Sequence, residues 1–152
     1  PMTEKQKAQR YKRIFSQLED LFTKTDNPTS RMATSAALLH HKMPDFFWTG
    51  FYFLQDGSLL VGPYQGPLAC QVLERNKGVC WAGLRQKKTI VVPDIHKFPG
   101  HIACDSRSNS EIVVPLFKPD GEPWAVLDAD SRKREAFNDT DKIWLEKIAA
   151  LI

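Results

Sequence analysis

The sequence predicts an α+β domain in which a central antiparallel sheet carries the N- and C-terminal helices on one face. Two observations lead to this prediction. Near both ends of the chain, apolar residues recur at steps of three and four, as in amphipathic helices. Between them lie short apolar or alternating runs separated by turn sequences, as in successive β-hairpins. Strands in series with helices at the ends are typical of α+β architectures, and residues 1–152 are expected to form a single domain.

Two helices are expected at the N-terminal end. Residues 5–22 place apolar side chains at helical spacing, with Lys and Glu between them. Asn27 and Pro28 then supply an N-cap and a first-turn proline for a second helix that runs to about His40.

An aromatic hairpin follows these helices. Residues 46–54 are strand-like, and an Asp-Gly turn leads back into a partner strand. Because side chains alternate across a strand, Trp48, Gly50 and Tyr52 share one face. Two aromatic rings on either side of a glycine predict a recess. The rings are either ordinary core or the wall of a ligand site.

The remaining strands and the last helix can be placed in order. A short strand at about 71–73 and a helix at 78–86 precede strands at about 89–92, 111–117 and 124–128, and a helix from Asp139 to the end has Asn138 as its cap. The last strand closes with Asp128 and Asp130 on the same side. Two neighbouring buried carboxylates would repel each other and raise the pKa of one of them. They are alternatively turn formers.

The composition excludes several functional classes. Apolar residues make up 42% of the chain and charged residues 26%, as in soluble globular proteins. The apolar runs are too short for a membrane span, and the N-terminal region lacks a secretory apolar segment, so we expect a cytoplasmic protein. The net charge of +3 is scattered rather than gathered into a block, which disfavours nucleic acid as a partner.

Three cysteines are the main candidates for chemistry. The spacing C-x9-C-x23-C offers no close pair of zinc-finger type, so no metal site is expected. A chain without a secretory signal also disfavours a structural disulfide framework. Thiol chemistry or core packing remains.

The two later cysteines are rival nucleophiles. Cys80 is expected in the first turn of a helix, where the helix dipole would lower the pKa of its thiol. Cys104 lies in a long polar loop, residues 93–109, of a length that is uncommon unless the loop binds a ligand.

Four motifs together resemble a known enzyme family. They are GPYQGPLAC at 62–70, GVCWAGL at 78–84, VVPDIHKFPGHIACDSRSNSEIVVPLF at 91–117, and VLDADS at 126–131. In this order, and with all three cysteines at matching intervals, they resemble the signatures of the free methionine-R-sulfoxide reductases, which are built on a GAF domain. The resemblance covers roughly residues 45–145.

The resemblance implies a GAF-like fold and a thiol-dependent oxidoreductase of the cytoplasm, active against oxidative stress. Its substrate would be free methionine (R)-sulfoxide. A cysteine thiolate would attack the sulfoxide sulfur, and the resulting sulfenic acid would condense with a second thiol to an intramolecular disulfide. Thioredoxin, or dithiothreitol in its place, would reduce that disulfide. No bound cofactor is implied, and a homodimer is expected by family analogy only.

By matching position, the resemblance makes Cys104 the nucleophile and Cys70 the resolving residue. Cys80 stays either a rival nucleophile or a second resolving thiol. The remaining implied site residues are Trp48 and Tyr52 around the S-methyl group, the loop backbone amides or Ser106 at the substrate carboxylate, and Glu111, Asp128 and Asp130 as proton donor and ammonium partner.

Two other hypotheses stay open at this stage. The same fold hosts non-catalytic sensors of small metabolites, in which the cysteines would be incidental. It also serves as a dimerisation module. Loss of thiols on exposure to methionine sulfoxide would distinguish the reductase from both.

Overall fold

The computed structural model describes residues 1–101 and 104–152, and the two residues between them, within the predicted loop, lie outside this description. The described helices are α1 (Glu4–Leu21), α2 (Pro28–Lys42), α3 (Gly78–Gln86) and α4 (Asp139–Ala149). The described strands are β1 (Trp48–Gln55), β2 (Ser58–Gln65), β3 (Val72–Leu73), β4 (Ile90–Val92), β5 (Ser110–Phe117) and β6 (Pro123–Ser131).

The helices begin where their capping residues predict. Asn27 accepts a hydrogen bond from the backbone of Ser30, with Pro28 in the first turn of α2. Asn138 caps α4 and forms a reciprocal capping box with Asp141. Both predicted caps are therefore confirmed.

The six strands form one antiparallel sheet in the order β3-β2-β1-β6-β5-β4. The β1–β2 hairpin turns at Asp56 and Gly57, which have φ angles of 50° and 80°. Both values lie in the left-handed region that a tight hairpin turn of this twist requires. The predicted Asp-Gly hairpin is confirmed.

The two faces of the sheet are covered by different helices. Helices α1, α2 and α4 pack on the face that carries Phe51, Ile112 and Leu127. This arrangement confirms the predicted fold class, with the N- and C-terminal helices on one face. Helix α3 packs on the opposite face, against Val113 and Val126. That second face holds the cavity described below.

A glycine allows α3 to approach the sheet closely. A Cβ atom at Gly83 would lie 2.9 Å from Cγ1 of Val113 on β5, closer than such atoms are found. Cys80 lies one turn earlier on α3 and faces the same side as Gly83. The close contact therefore brings the Cys80 thiol down onto the sheet.

A buried polar network joins the two ends of the chain. The hydroxyl of Tyr11 on α1 donates a 2.5 Å hydrogen bond to Oδ1 of Asp141 on α4, and Lys7 forms an ion pair with the same carboxylate. Burial and the charge of Asp141 raise the pKa of Tyr11, so the phenol stays a donor. The network anchors α1 on α4.

The predicted end of the last strand at about Asp128 was wrong, because β6 continues to Ser131. Of the two alternatives for Asp128 and Asp130, the structure shows strand residues and not turn formers. A second local prediction was also wrong. The predicted recess at Gly50 is filled, because Gly50 pairs with Tyr64 of β2 and a Cβ there would lie 2.3 Å from Cβ of Tyr64.

In the described ranges, no helix combines the length and apolar character needed to cross a membrane.

Candidate active site

A cavity of about 60 Å³ opens on the α3 face of the sheet. Three neighbouring strands, β1, β6 and β5, contribute side chains to one side of the cavity. Helix α3 and the loop before β5 cover the other side. It is lined mainly by Trp48, Tyr52, Leu68, Lys77, Gly78, Cys80, His101, Cys104, Asp105, Ser108, Glu111, Asp128 and Asp130. The structure thus brings together every predicted site residue except Cys70, which is bonded to Cys104, and Ser106, and neither of these two is among the lining residues.

The pairing of β1, β6 and β5 places three carboxyl groups side by side. Asp130 pairs with Trp48 on one side and with Glu111 on the other. Asp128 lies two residues before Asp130 and therefore on the same face. All three carboxyl groups point into the cavity, although 17 residues separate Glu111 from Asp128 in the sequence.

Burial raises the pKa of all three carboxyl groups. It raises the pKa of Glu111 well above its ordinary value, and the charge on Asp128 raises it further. Burial and the charge on Asp128 likewise raise the pKa of Asp130. The pKa of Asp128 is also raised by burial, but hydrogen bonds from Glu111 and Cys80 oppose that shift. These two hydrogen bonds favour the charged form of Asp128.

Cys80 lies in the first turn of α3, on the side of the cavity opposite the strands, and 5% of its surface is exposed. Burial raises the pKa of its thiol well above the ordinary value, and the charge of Asp128 adds to the shift. The expectation that the helix terminus would lower this pKa was wrong. Desolvation and three facing carboxyl groups outweigh the helix dipole.

Cys70 and Cys104 form a disulfide at the mouth of the cavity, with their Cα atoms 5.5 Å apart. Cys104 is exposed to solvent. Cys80 is buried and carries a free thiol. The loop after Cys104 is held by Arg107, whose guanidinium pairs with Asp105 and lowers the pKa of that carboxyl to about 2. The Cys70–Cys104 disulfide is therefore accessible from solvent through Cys104.

Stacked aromatic rings form one wall of the cavity. Trp48 lies between Tyr52 and Tyr64, with ring centroids 5.7 Å and 5.3 Å away. Burial and the charge of Asp128 raise the pKa of Tyr52, so its hydroxyl remains a donor, and it reaches the backbone oxygen of Cys70. In the described part of the chain, the buried indole nitrogen of Trp48 has no hydrogen-bond partner and can donate to a bound molecule.

Several residues at the site were not predicted from the sequence. Tyr64 stacks on Trp48 of the aromatic wall because its strand pairs with Gly50, and no local pattern reveals this contact. His101 lines the cavity, and burial lowers the pKa of its imidazole. The backbone at Gly78 and Val79 also lines the cavity at the start of α3, where no side chain caps the helix. The sequence signal for these free amides is Lys77 at the N-cap position, because a lysine has no side-chain oxygen that could accept a hydrogen bond from them.

Three groups at the site could hold a metal ion. The ligand atoms of Cys80, Glu111 and Asp128 all lie within 4.8 Å of one another, and all three residues are buried. Spacing along the sequence indicated no metal site. The triad arises from α3, β5 and β6, and only the fold brings it together.

Comparison with known proteins places these features in a family. Residues 34–152 match the GAF domain family. Over 133 residues, the chain is 41% identical to the free methionine-R-sulfoxide reductase of Saccharomyces cerevisiae, covering 83% of this chain and 74% of that protein. It is 42% identical over 147 residues to GAF domain-containing protein A of Dictyostelium discoideum, covering 96% and 92% of the two chains.

A solved structure shows the same similarity. The free methionine-R-sulfoxide reductase of Neisseria meningitidis, in complex with its substrate, superposes with a TM-score of 0.91 at 37% identity. The match covers 99% of this chain and 89% of the other.

Proposed function

Since this chain belongs to the GAF domain family and, within it, to the free methionine-R-sulfoxide reductases, we propose that it reduces free methionine (R)-sulfoxide to methionine with its own thiols. The observation that supports this proposal most directly is the placement of a solvent-open disulfide beside a cavity of proton-bearing carboxyl groups. A sulfoxide is a poor electrophile until its oxygen is protonated or strongly hydrogen-bonded, so a thiol and an acid must meet at one site.

In the first step, the Cys104 thiolate attacks the sulfoxide sulfur. The sulfoxide oxygen ends on Cys104 as a sulfenic acid, and methionine is released. The Cys70 thiol then attacks the Cys104 sulfur, water leaves, and the disulfide forms. The two thiols together supply the two electrons that the sulfoxide gains.

Glu111 is the proposed proton donor and Asp128 the proposed partner of the substrate ammonium. Glu111 retains its proton because burial and the neighbouring charge raise its pKa. Asp128 accepts hydrogen bonds from Glu111 and Cys80 that favour its charged form, so it is the carboxyl group proposed to carry the negative charge in the cavity. Two carboxyl groups with different protonation states can thus perform two roles.

The walls of the cavity suit the rest of the substrate. Trp48 and Tyr52 form an apolar surface on which the S-methyl group would pack, and the shape of this surface would select the R epimer. The free amides at the start of α3 and the Ser108 hydroxyl supply donors for the substrate carboxylate. Recognition of both the ammonium and the carboxylate would restrict the enzyme to the free amino acid.

The exposed position of Cys104 gives a protein dithiol access to the disulfide. We assign this role to thioredoxin, with dithiothreitol as its substitute in vitro. A cytoplasmic location, a role against oxidative stress and homodimerisation remain predictions.

The proposal is tested by incubating the protein with racemic free methionine sulfoxide and dithiothreitol, and following each epimer by chiral chromatography. Loss of the R epimer alone is expected. Cys104→Ser should stop this loss, and Cys80→Ser serves as the matched thiol control, which should retain turnover if Cys80 is not the nucleophile. If reduced, folded protein consumes neither epimer, the cavity binds a ligand without chemistry, as in a sensor.

A further inference from the structure

The buried triad of Cys80, Glu111 and Asp128 has the donor set of a zinc site. Zinc binds thiolate, carboxylate and imidazole ligands, usually four in a tetrahedron, with metal–ligand distances of about 2.0 to 2.3 Å. Two ligands of one zinc ion are then about 3.5 Å apart and never more than about 4.5 Å. The three ligand atoms here lie within 4.8 Å of one another, so side-chain movements of about 1 Å would close the site.

A second observation concerns one oxygen atom of the triad. Oδ1 of Asp128 is buried and, in the described ranges 1–101 and 104–152, accepts no hydrogen bond. Only 4% of the Asp128 surface is exposed, and the residue lines the cavity. A buried carboxylate oxygen without a partner is costly, and a cation would satisfy it.

The elements around the triad hold it in place. Glu111 and Asp128 lie on paired strands in the middle of the sheet. Cys80 is fixed above them because Gly83 lets α3 pack closely on Val113. The cavity itself is large enough for an ion and a water molecule as fourth ligand.

We propose that Cys80, Glu111 and Asp128 bind Zn²⁺ between α3 and the sheet, and that bound zinc blocks the substrate site. The thiolate ligand selects zinc over Mg²⁺ and Ca²⁺, which prefer sites built of oxygen atoms alone. Blocking follows because the ion occupies the carboxyl groups assigned to the sulfoxide oxygen and the ammonium. The binding part is independent of the proposed reductase function, whereas the blocking part rests on it.

The binding part is tested in the oxidised protein, in which the disulfide removes Cys70 and Cys104 as ligands. Co²⁺ serves as the spectroscopic probe, and Zn²⁺ is then added to displace it. A thiolate-to-cobalt charge-transfer band in the near ultraviolet, with intense visible bands of tetrahedral Co²⁺, is expected at one ion per chain. Cys80→Ser should abolish the charge-transfer band, and Glu111→Gln should weaken Zn²⁺ affinity about tenfold or more.

The control variant is Asp105→Asn, which changes a carboxyl group of the same cavity outside the triad and should keep the band. Circular dichroism spectra establish that each variant is folded. A wild-type protein that shows no charge-transfer band, or a band that survives in Cys80→Ser, would overturn the assignment of the site.

The blocking part is tested in a single turnover of pre-reduced protein, without dithiothreitol because that reagent binds zinc itself. Zn²⁺ should lower the rate at low substrate concentration, high substrate concentration should restore it, and inhibition should weaken at least tenfold in Cys80→Ser. Equal inhibition of both proteins would mean that zinc acts at Cys104, which overturns the blocking part. The zinc-free rate separately reports whether the proposed reductase function holds.

Discussion

Replacing Glu111 with Gln should make the protein progressively more stable than the wild type as the pH rises. Glu111 is buried, and its folded-state pKa lies well above the ordinary value of 4.5. The folded protein therefore holds a proton that the unfolded chain releases once the pH exceeds about 4.5. The contribution of Glu111 to stability is consequently fully present below that pH and is lost as the pH rises towards its folded pKa. Glutamine has the same shape, still donates to Asp128, and carries no proton to lose.

The magnitude follows from linkage. One group whose pKa is raised on folding costs about 1.4 kcal/mol for each pH unit between its unfolded and folded pKa values. For each pH unit above about 5.5 and below the folded pKa of Glu111, the free energy of unfolding of Glu111→Gln should therefore gain about 1 kcal/mol on that of the wild type. In a chain of this size, such a gain raises the melting temperature by about 2 to 4 °C.

The assay is urea unfolding of the disulfide-intact proteins at several pH values from 5 to 8. Glu122→Gln is the matched control, because its carboxyl group is 58% exposed and lies in a surface ion pair with Lys87. Its stability should follow the wild-type pH profile. A difference between Glu111→Gln and wild type that does not change with pH would refute the conclusion that folded Glu111 keeps its proton.

Three further variants test other parts of the structure. Cys104→Ser should abolish turnover with dithiothreitol, and activity that survives in it would move the nucleophile to Cys80. Asp128→Asn should lower kcat/KM about a hundredfold or more, because it removes the charge assigned to the substrate ammonium, and wild-type steady-state kinetics would exclude Asp128 from the site. Gly83→Ala should destabilise the protein by about 1 to 2 kcal/mol in urea unfolding. The reason is that overpacking of α3 on β5 outweighs the gain in helix propensity of about 1 kcal/mol. A variant more stable than the wild type would contradict the close contact between α3 and β5.

The sequence alone determined the order of the elements and several of their boundaries. Helix α2 begins at Asn27 and Pro28, and the first hairpin turns at Asp56 and Gly57, because capping and positive φ angles depend on residues that are adjacent in the chain. Hydrophobic periodicity likewise identified the end helices and the face on which they pack. The motifs around the three cysteines indicated the family, since each motif is continuous in the sequence.

Only the tertiary structure decided the chemical state of the site. Position in a helix predicted an activated Cys80, yet the fold buries that thiol against Glu111 and Asp128, and desolvation reverses the direction of its pKa shift. The pairing of β2 with β1 put Tyr64 where a recess was expected. The Cys80, Glu111 and Asp128 triad also has no sequence signature. Burial and charge act through space, so a pKa or a metal site depends on neighbours that come from distant segments of the chain.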